Sequence, residues 1–118
     1  MLEGYLDITN IIQKDPSKKF SFTIAYFSRK SLFAFKNRLQ DLISFFGNLS
    51  SIEVIYVDAD KTEIFDVSEL ADYSRIIIPN ESISIPKAVN TALEVSSSSF
   101  VFVLPVNYRL VAFNLNET

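Results

Sequence analysis

Apolar and smaller or polar positions alternate along residues 20–27, with Phe20, Phe22, Ile24 and Tyr26 on one side of the pattern. A period of two over this length predicts a β-strand. Residues 28–31 are polar and read as a turn. The period then changes. Leu32, Phe35, Leu39, Leu42, Ile43 and Phe46 recur at three- and four-residue steps, and Lys36, Asn37, Arg38, Gln40 and Asp41 fall opposite them. This is the stripe of an amphipathic helix over residues 32–46. Gly47 stands where a helix-ending glycine belongs.

A second strand over residues 52–57 ends at Asp58. Asp66 and Glu69 have the spacing of an N-cap and its third helical residue, which predicts a short helical turn closing near Tyr73. Residues 75–78 form a short apolar strand stopped by Pro79. Ile85, Ala88, Val89, Ala92 and Val95 mark a second helix over residues 85–95, with Pro86 tolerated in its first turn. Residues 100–104 hold no polar side chain, which implies a strand buried on both faces. Pro105 ends it, and residues 108–114 read as a last strand. Before all of this, Leu2, Tyr5, Leu6, Ile8, Ile11 and Ile12 have a mixed spacing that reads as a short amphipathic helix. The turn signal at residues 14–19 separates it from the rest as an N-terminal extension.

Strands that alternate with helices predict a three-layer α/β fold with a mostly parallel sheet, filling residues 1–118 as a single domain. In such sheets ligands bind beyond the C-terminal ends of the strands. Those ends are Phe27-Ser28-Arg29, Asp58-Ala59-Asp60, Pro79-Asn80-Glu81 and Pro105-Val106-Asn107.

Composition removes whole classes of chemistry. The chain has no cysteine and no histidine, so thiolate nucleophiles, serine–histidine triads and zinc–cysteine or histidine-liganded metals are excluded. Gly4 and Gly47 are its only glycines, too few for a P-loop or a dinucleotide fingerprint. A net charge of −3 with scattered basic residues argues against nucleic acid as a partner. No apolar run approaches the roughly 20 residues of a transmembrane helix. The opening residues carry Glu3 and Asp7 and no basic start, so no secretory signal is read and a cytoplasmic location is expected.

Four ordered segments carry a resemblance. The first is Phe22-Thr23-Ile24-Ala25-Tyr26-Phe27-Ser28-Arg29-Lys30 with the helix after it. The second is Glu53-Val54-Ile55-Tyr56-Val57-Asp58-Ala59-Asp60. The third is Ile76-Ile77-Ile78-Pro79-Asn80-Glu81, continuing through Ala88 and Asn90. The fourth is Phe100-Val101-Phe102-Val103-Leu104. Together they resemble the N-terminal half of the inverting glycosyltransferases with the GT-A fold, the family of cellulose and chitin synthases. The resemblance covers about residues 21–110. It implies a Rossmann-like half-domain whose ligand is a nucleotide-diphosphate sugar, held with manganese or magnesium. Carried over position by position, it names Phe27, Ser28, Asp58, Asp60, Glu81, Asn90 and Asn107 as ligand-binding residues.

The sequence departs from the family where the family does its chemistry. The metal-binding Asp-x-Asp reads Pro105-Val106-Asn107, the second acid of the family's acidic pair is Ala59, and the loop glycine and helix arginine are Ser84 and Val89. Asp58-Ala59-Asp60 also spells Asp-x-Asp, but after the second strand, where the family places a nucleotide-contacting acid. No catalytic residue and no metal ligand are assigned. The family's general base and acceptor site belong to a second half beyond the segment resembled here. The expectation is therefore a nucleotide-sugar-binding domain inactive alone, a piece of a larger protein or a small divergent relative, partnered by the missing half or another protein. The alternative is a non-catalytic interaction module on the same fold.

Each residue keeps a plainer reading. Asp58 accepts a hydrogen bond from a nucleotide, or caps the turn after its strand. Asn90 helps hold a phosphate near a helix N-terminus, or steadies the preceding loop. Phe27, Tyr26 and Phe33 stack on a base, or pack in the core. Arg29 and Lys30 meet a phosphate, or stand in a solvated loop. A phosphoacceptor receiver domain would need acids where Ser28-Arg29 and Pro79-Asn80 stand.

Overall fold

The computed structural model describes residues 5–9, 20–47, 49, 51–60 and 74–108. Its elements in chain order are β1 (Tyr5–Thr9), β2 (Phe22–Ser28), α1 (Leu32–Phe46), β3 (Ile52–Asp58), β4 (Arg75–Pro79), α2 (Ile85–Val95) and β5 (Val101–Pro105). They build one sheet in the order β1-β4-β3-β2-β5. The last four strands are mutually parallel, and β1 runs antiparallel to β4. Numbered among themselves, the parallel strands follow the order 3-2-1-4 of a Rossmann-like half.

The pleat of the strands sends alternate side chains to opposite faces, and a helix covers each. On one face Phe22, Ile24 and Tyr26 of β2, Val54 and Tyr56 of β3, and Ile76 and Ile78 of β4 meet Phe35, Leu39 and Leu42 of α1. On the other, Ala25, Ile55, Val57 and Ile77 meet Ala88 and Ala92 of α2. The two alanines present no bulk, which brings the α2 backbone close to the sheet. The three-layer α/β architecture expected from the alternation is the one present.

Both helices have the bounds that their sequence patterns predict. Gly47 ends α1 at φ 80°, in the region that favours glycine, and its N–H donates to the Ile43 carbonyl at 2.8 Å. At the start of α2 the Ser84 side chain accepts from the Lys87 N–H at 3.2 Å, with Pro86 in the first turn.

Two expectations are corrected. The N-terminal segment is not an amphipathic helix, because residues 5–9 are a strand paired with β4 in the register Tyr5↔Pro79 to Thr9↔Arg75. Tyr, Ile and Thr favour an extended backbone, and the edge of β4 supplies the hydrogen-bonding partner that a local pattern cannot reveal. Residues 5–9 therefore form a strand of the sheet. β5 is likewise not buried on both faces. Phe102 is 43% exposed, and Val101, Val103, Leu104 and Pro105 are half-buried. β5 is the end strand of the described sheet and pairs there with β2. Val101 and Val103 pack on the α2 face and Leu104 on the α1 face, but among the described residues only β2 flanks the strand. The helical turn expected near residues 66–73 and the last strand expected at 108–114 lie outside the described residues, except Tyr108, which follows β5 in a turn.

At the N-terminal edge of the sheet, the Glu53 carboxylate accepts from the buried Thr23 hydroxyl at 2.8 Å and from the Ser97 N–H and hydroxyl at 2.8 and 2.7 Å. This ties the serine-rich turn before β5 to β3. That edge is thereby spent on structure.

Among the described residues, no helix is long and apolar enough to cross a membrane.

Candidate functional site

Strand order reverses between β2 and β5. From β2 the chain proceeds outward through β3 to β4, and then α2 carries it back across the sheet to β5. In open α/β sheets such a reversal point, at the C-terminal ends of the strands, is the place where ligands are held. Phe27 and Ser28 lie on one side of it and Asn107 on the other.

Asp58 is the hub of the C-terminal edge. It is fully buried, at the end of β3. Its Oδ1 accepts from the Lys30 N–H at 2.9 Å and from the Asp60 N–H at 2.8 Å. Its Oδ2 accepts from the Tyr56 hydroxyl at 2.9 Å. The Tyr56 oxygen is also 2.7 Å from the Ser28 hydroxyl across the β2–β3 pair. Tyr56 is buried on the α1 face, and burial pushes its hydroxyl well above the ordinary tyrosine value, with the Asp58 charge adding to the shift. It stays protonated and remains a donor. The first turn of α1 carries no acid, and its cap residue Ser31 turns its hydroxyl to the Arg29 carbonyl at 3.0 Å. Asp58 reaches the backbone one residue before that cap, so β3 supplies the negative charge favoured at the start of α1.

Lys30 adopts φ 51°, uncommon for a residue with a side chain. Its N–H is thereby aimed at the Asp58 carboxylate. The local strain is sustained by a charge-assisted hydrogen bond to a buried group.

A second linkage crosses the loops on the α2 side. Arg29 Nη1 donates to Asp60 Oδ1 at 2.9 Å, and Nη2 donates to the Ile83 carbonyl at 3.0 Å. The Ile83 N–H donates to the Ala59 carbonyl at 2.7 Å. One guanidinium thus joins the loops after β2, β3 and β4. A hydrogen bond from Ser82, aided by the charge and hydrogen bond of Arg29 against an opposing desolvation effect, holds the Asp60 carboxyl below the usual aspartate range. A depressed folded-state value means that Asp60 contributes stability above the unfolded-state value, and that this contribution is lost as pH falls through the folded one. Below about pH 4 the stability gap between the wild type and Asp60→Asn is therefore expected to narrow. Urea midpoints measured from pH 6 downward check this, and a gap that widens on acidification contradicts the assignment.

The expected site residues separate into groups. Ser28 and Asp58 are joined through Tyr56, and Asp60 is tied to Asp58 by its backbone. Asp58 faces inward, with its oxygens engaged by protein donors. Phe27 is half-buried against the α2-face cluster, and its carbonyl accepts the Val106 N–H at 3.0 Å, fastening the turn after β5 to β2. Asn107 is exposed in that turn, which the Tyr108 N–H closes on the Pro105 carbonyl at 2.9 Å. Glu81 is exposed after β4, two strands from β2 and about 10 Å away at the usual strand spacing. Asn90 is exposed as the sixth residue of α2, past the first turn whose free N–H groups attract anions. Phe33 and Tyr108 stand 78% and 58% exposed, whereas Tyr26 is buried in the α1-face core.

Tyr56 was not among the expected residues. Its signal in the sequence is the Tyr-x-Asp spacing, which places both side chains on one face of β3. Arg29 reads from the sequence as a phosphate contact or a loop residue, and its link to Asp60 and Ile83 joins residues too distant in sequence to be read there.

The divalent cation that the resemblance implies does not fit these residues. Such an ion needs several anionic oxygens facing one point. Asn107 offers one neutral oxygen, Asp58 is committed to protein donors, and Asp60 alone adds a single carboxylate. Among the described residues, no three acidic side chains converge.

Comparison of the chain with protein-family models, with curated proteins and with solved structures yields no match.

Proposed function

We propose that this chain is a nucleotide-sugar-binding half-domain of the GT-A type, holding a nucleoside diphosphate at the C-terminal edge between β2 and β5 and transferring no sugar on its own. The strand order is the observation that carries the reading: β4-β3-β2-β5 reverses direction at β2, with Ser28 on one side and Asn107 on the other. The four segments that resemble the family, in their order along the chain, support it further. Pro105-Val106-Asn107 in place of a metal-binding pair of acids supports the absence of transfer.

A thermal-shift screen with uridine and guanosine diphosphates and their sugars tests this reading. At ligand concentrations about 100 times Kd, one-site linkage gives about 2.7 kcal/mol, a rise of several degrees in Tm. One diphosphate is expected to give that rise, equally with and without manganese. No rise with any of them at saturating concentration overturns the reading.

A second reading, an interaction module on the same fold, is favoured by the exposure of Phe100 and Phe102 at the end strand of the described sheet. A flat screen turns the assignment to it.

A further inference from the structure

We infer that Asp60 is a built-in competitor for the diphosphate rather than a contact to it. This rests on the nucleotide-binding reading and concerns the same edge of the sheet. The start of α1 already has an anion, because Asp58 accepts the Lys30 N–H beside it. A diphosphate arriving there depends on side-chain cations, and two follow β2, Arg29 and Lys30. The planar donor edge of Arg29 is the better match to phosphate oxygens. That edge is occupied, with Nη1 on Asp60 Oδ1 and Nη2 on the Ile83 carbonyl.

The occupancy is of a kind that a ligand can displace. The Arg29 side chain is 47% exposed and that of Asp60 16%, so the pair meets solvent and is weak. Asp60 keeps other partners when Arg29 leaves, because its N–H donates to Asp58 and Ser82 hydrogen-bonds its carboxylate. Arg29 can therefore exchange one carboxylate for a more highly charged phosphate group while the loop after β3 stays in place. In the free protein the exchange sets a threshold, since the anion must outcompete an internal carboxylate.

Titration calorimetry on the full chain tests the inference, with inorganic pyrophosphate and uridine diphosphate as probes. Asp60→Asn keeps the shape of the side chain and the backbone link to Asp58 while removing the charge. It is expected to tighten pyrophosphate binding about fivefold, which is about 1 kcal/mol at 1.4 kcal/mol per tenfold. The gain is expected to vanish in the Arg29→Gln/Asp60→Asn double variant, an outcome that a purely structural role for Asp60 would not produce. Far-ultraviolet circular dichroism confirms that each variant is folded, and Asp60→Ser is the replacement where Asn perturbs the loop. Binding by the wild type that is unchanged or weakened in both Asp60 variants overturns this inference and leaves nucleotide binding standing. Binding by neither the wild type nor the variants overturns both.

Discussion

Asp58→Ala is expected to destabilise the fold by about 3 kcal/mol, whereas Asp58→Asn costs only about 1 kcal/mol. The alanine variant strands two backbone donors, the Lys30 N–H and the Asp60 N–H, and takes from the buried Tyr56 hydroxyl the carboxylate it donates to. It also leaves Lys30 at φ 51° without the bond that offsets the strain. Asparagine retains a carbonyl oxygen that can keep both backbone N–H groups. Its amide then faces the Tyr56 oxygen, which can turn to accept from it and donate to Ser28, 2.7 Å away. What asparagine loses is the negative charge beside the start of α1, worth about 0.5–1 kcal/mol. Urea unfolding of the two variants checks the contrast. Equal losses would mean that the charge, rather than the hydrogen-bond geometry, holds the loops after β2 and β3 together.

Phe35→Ala is expected to cost about 4 kcal/mol. Phe35 is fully buried under α1, its ring stacked on Tyr56 at 4.8 Å and tilted against Tyr26 at 6.1 Å. Removing it leaves a cavity between two rings that are themselves pinned in the sheet, so the site collapses poorly. A small domain has about 5–15 kcal/mol of stability in total, and this variant should sit close to unfolding at ordinary temperatures. Phe35→Leu restores most of the volume and is expected to lose about 1.5 kcal/mol or less. Denaturant midpoints give the magnitudes. The near-ultraviolet dichroism of the tyrosines reports whether the rings still pack. Phe35 and Asp58 share Tyr56 as a neighbour, so the double variant should lose less than the two single losses added together.

What the sequence made legible follows the range of the forces involved. The bounds of α1 and α2 are set by local periodicity and by residues that act within one turn, namely Gly47, Ser84 and Pro86. The strands β2, β3 and β4 are short apolar runs between polar breaks, and they fall where the pattern places them. The spacing of β1 suits either period, and the pairing that decides between them comes from residues 66 to 74 positions away. β5 was misread because apolar content records what a strand can bury, whereas its place in the sheet records what covers it. The same division runs through the site. An aspartate at the end of a strand is plain in the sequence, but its direction depends on Tyr56 beside it and on the loop that follows β2. The Arg29–Asp60–Ile83 link has no local signature at all, since it joins residues 31 and 54 positions apart.

The antiparallel pairing of the first strand with the fourth also orders events in time. β1 joins residues 66 to 74 positions apart, whereas the registers of β2 with β3 span 30. The β2-α1-β3 unit closes the shorter loop and is the natural nucleus, because loop-closure entropy penalises distant pairings first. β1 is made before β4, and its pairing with β4 waits until residues 75–79 have been made. Among the described strands, β1 therefore docks onto β4 only after the β2-α1-β3 interior of the sheet is assembled. Variants in residues 5–9 should speed unfolding and leave the folding rate almost unchanged.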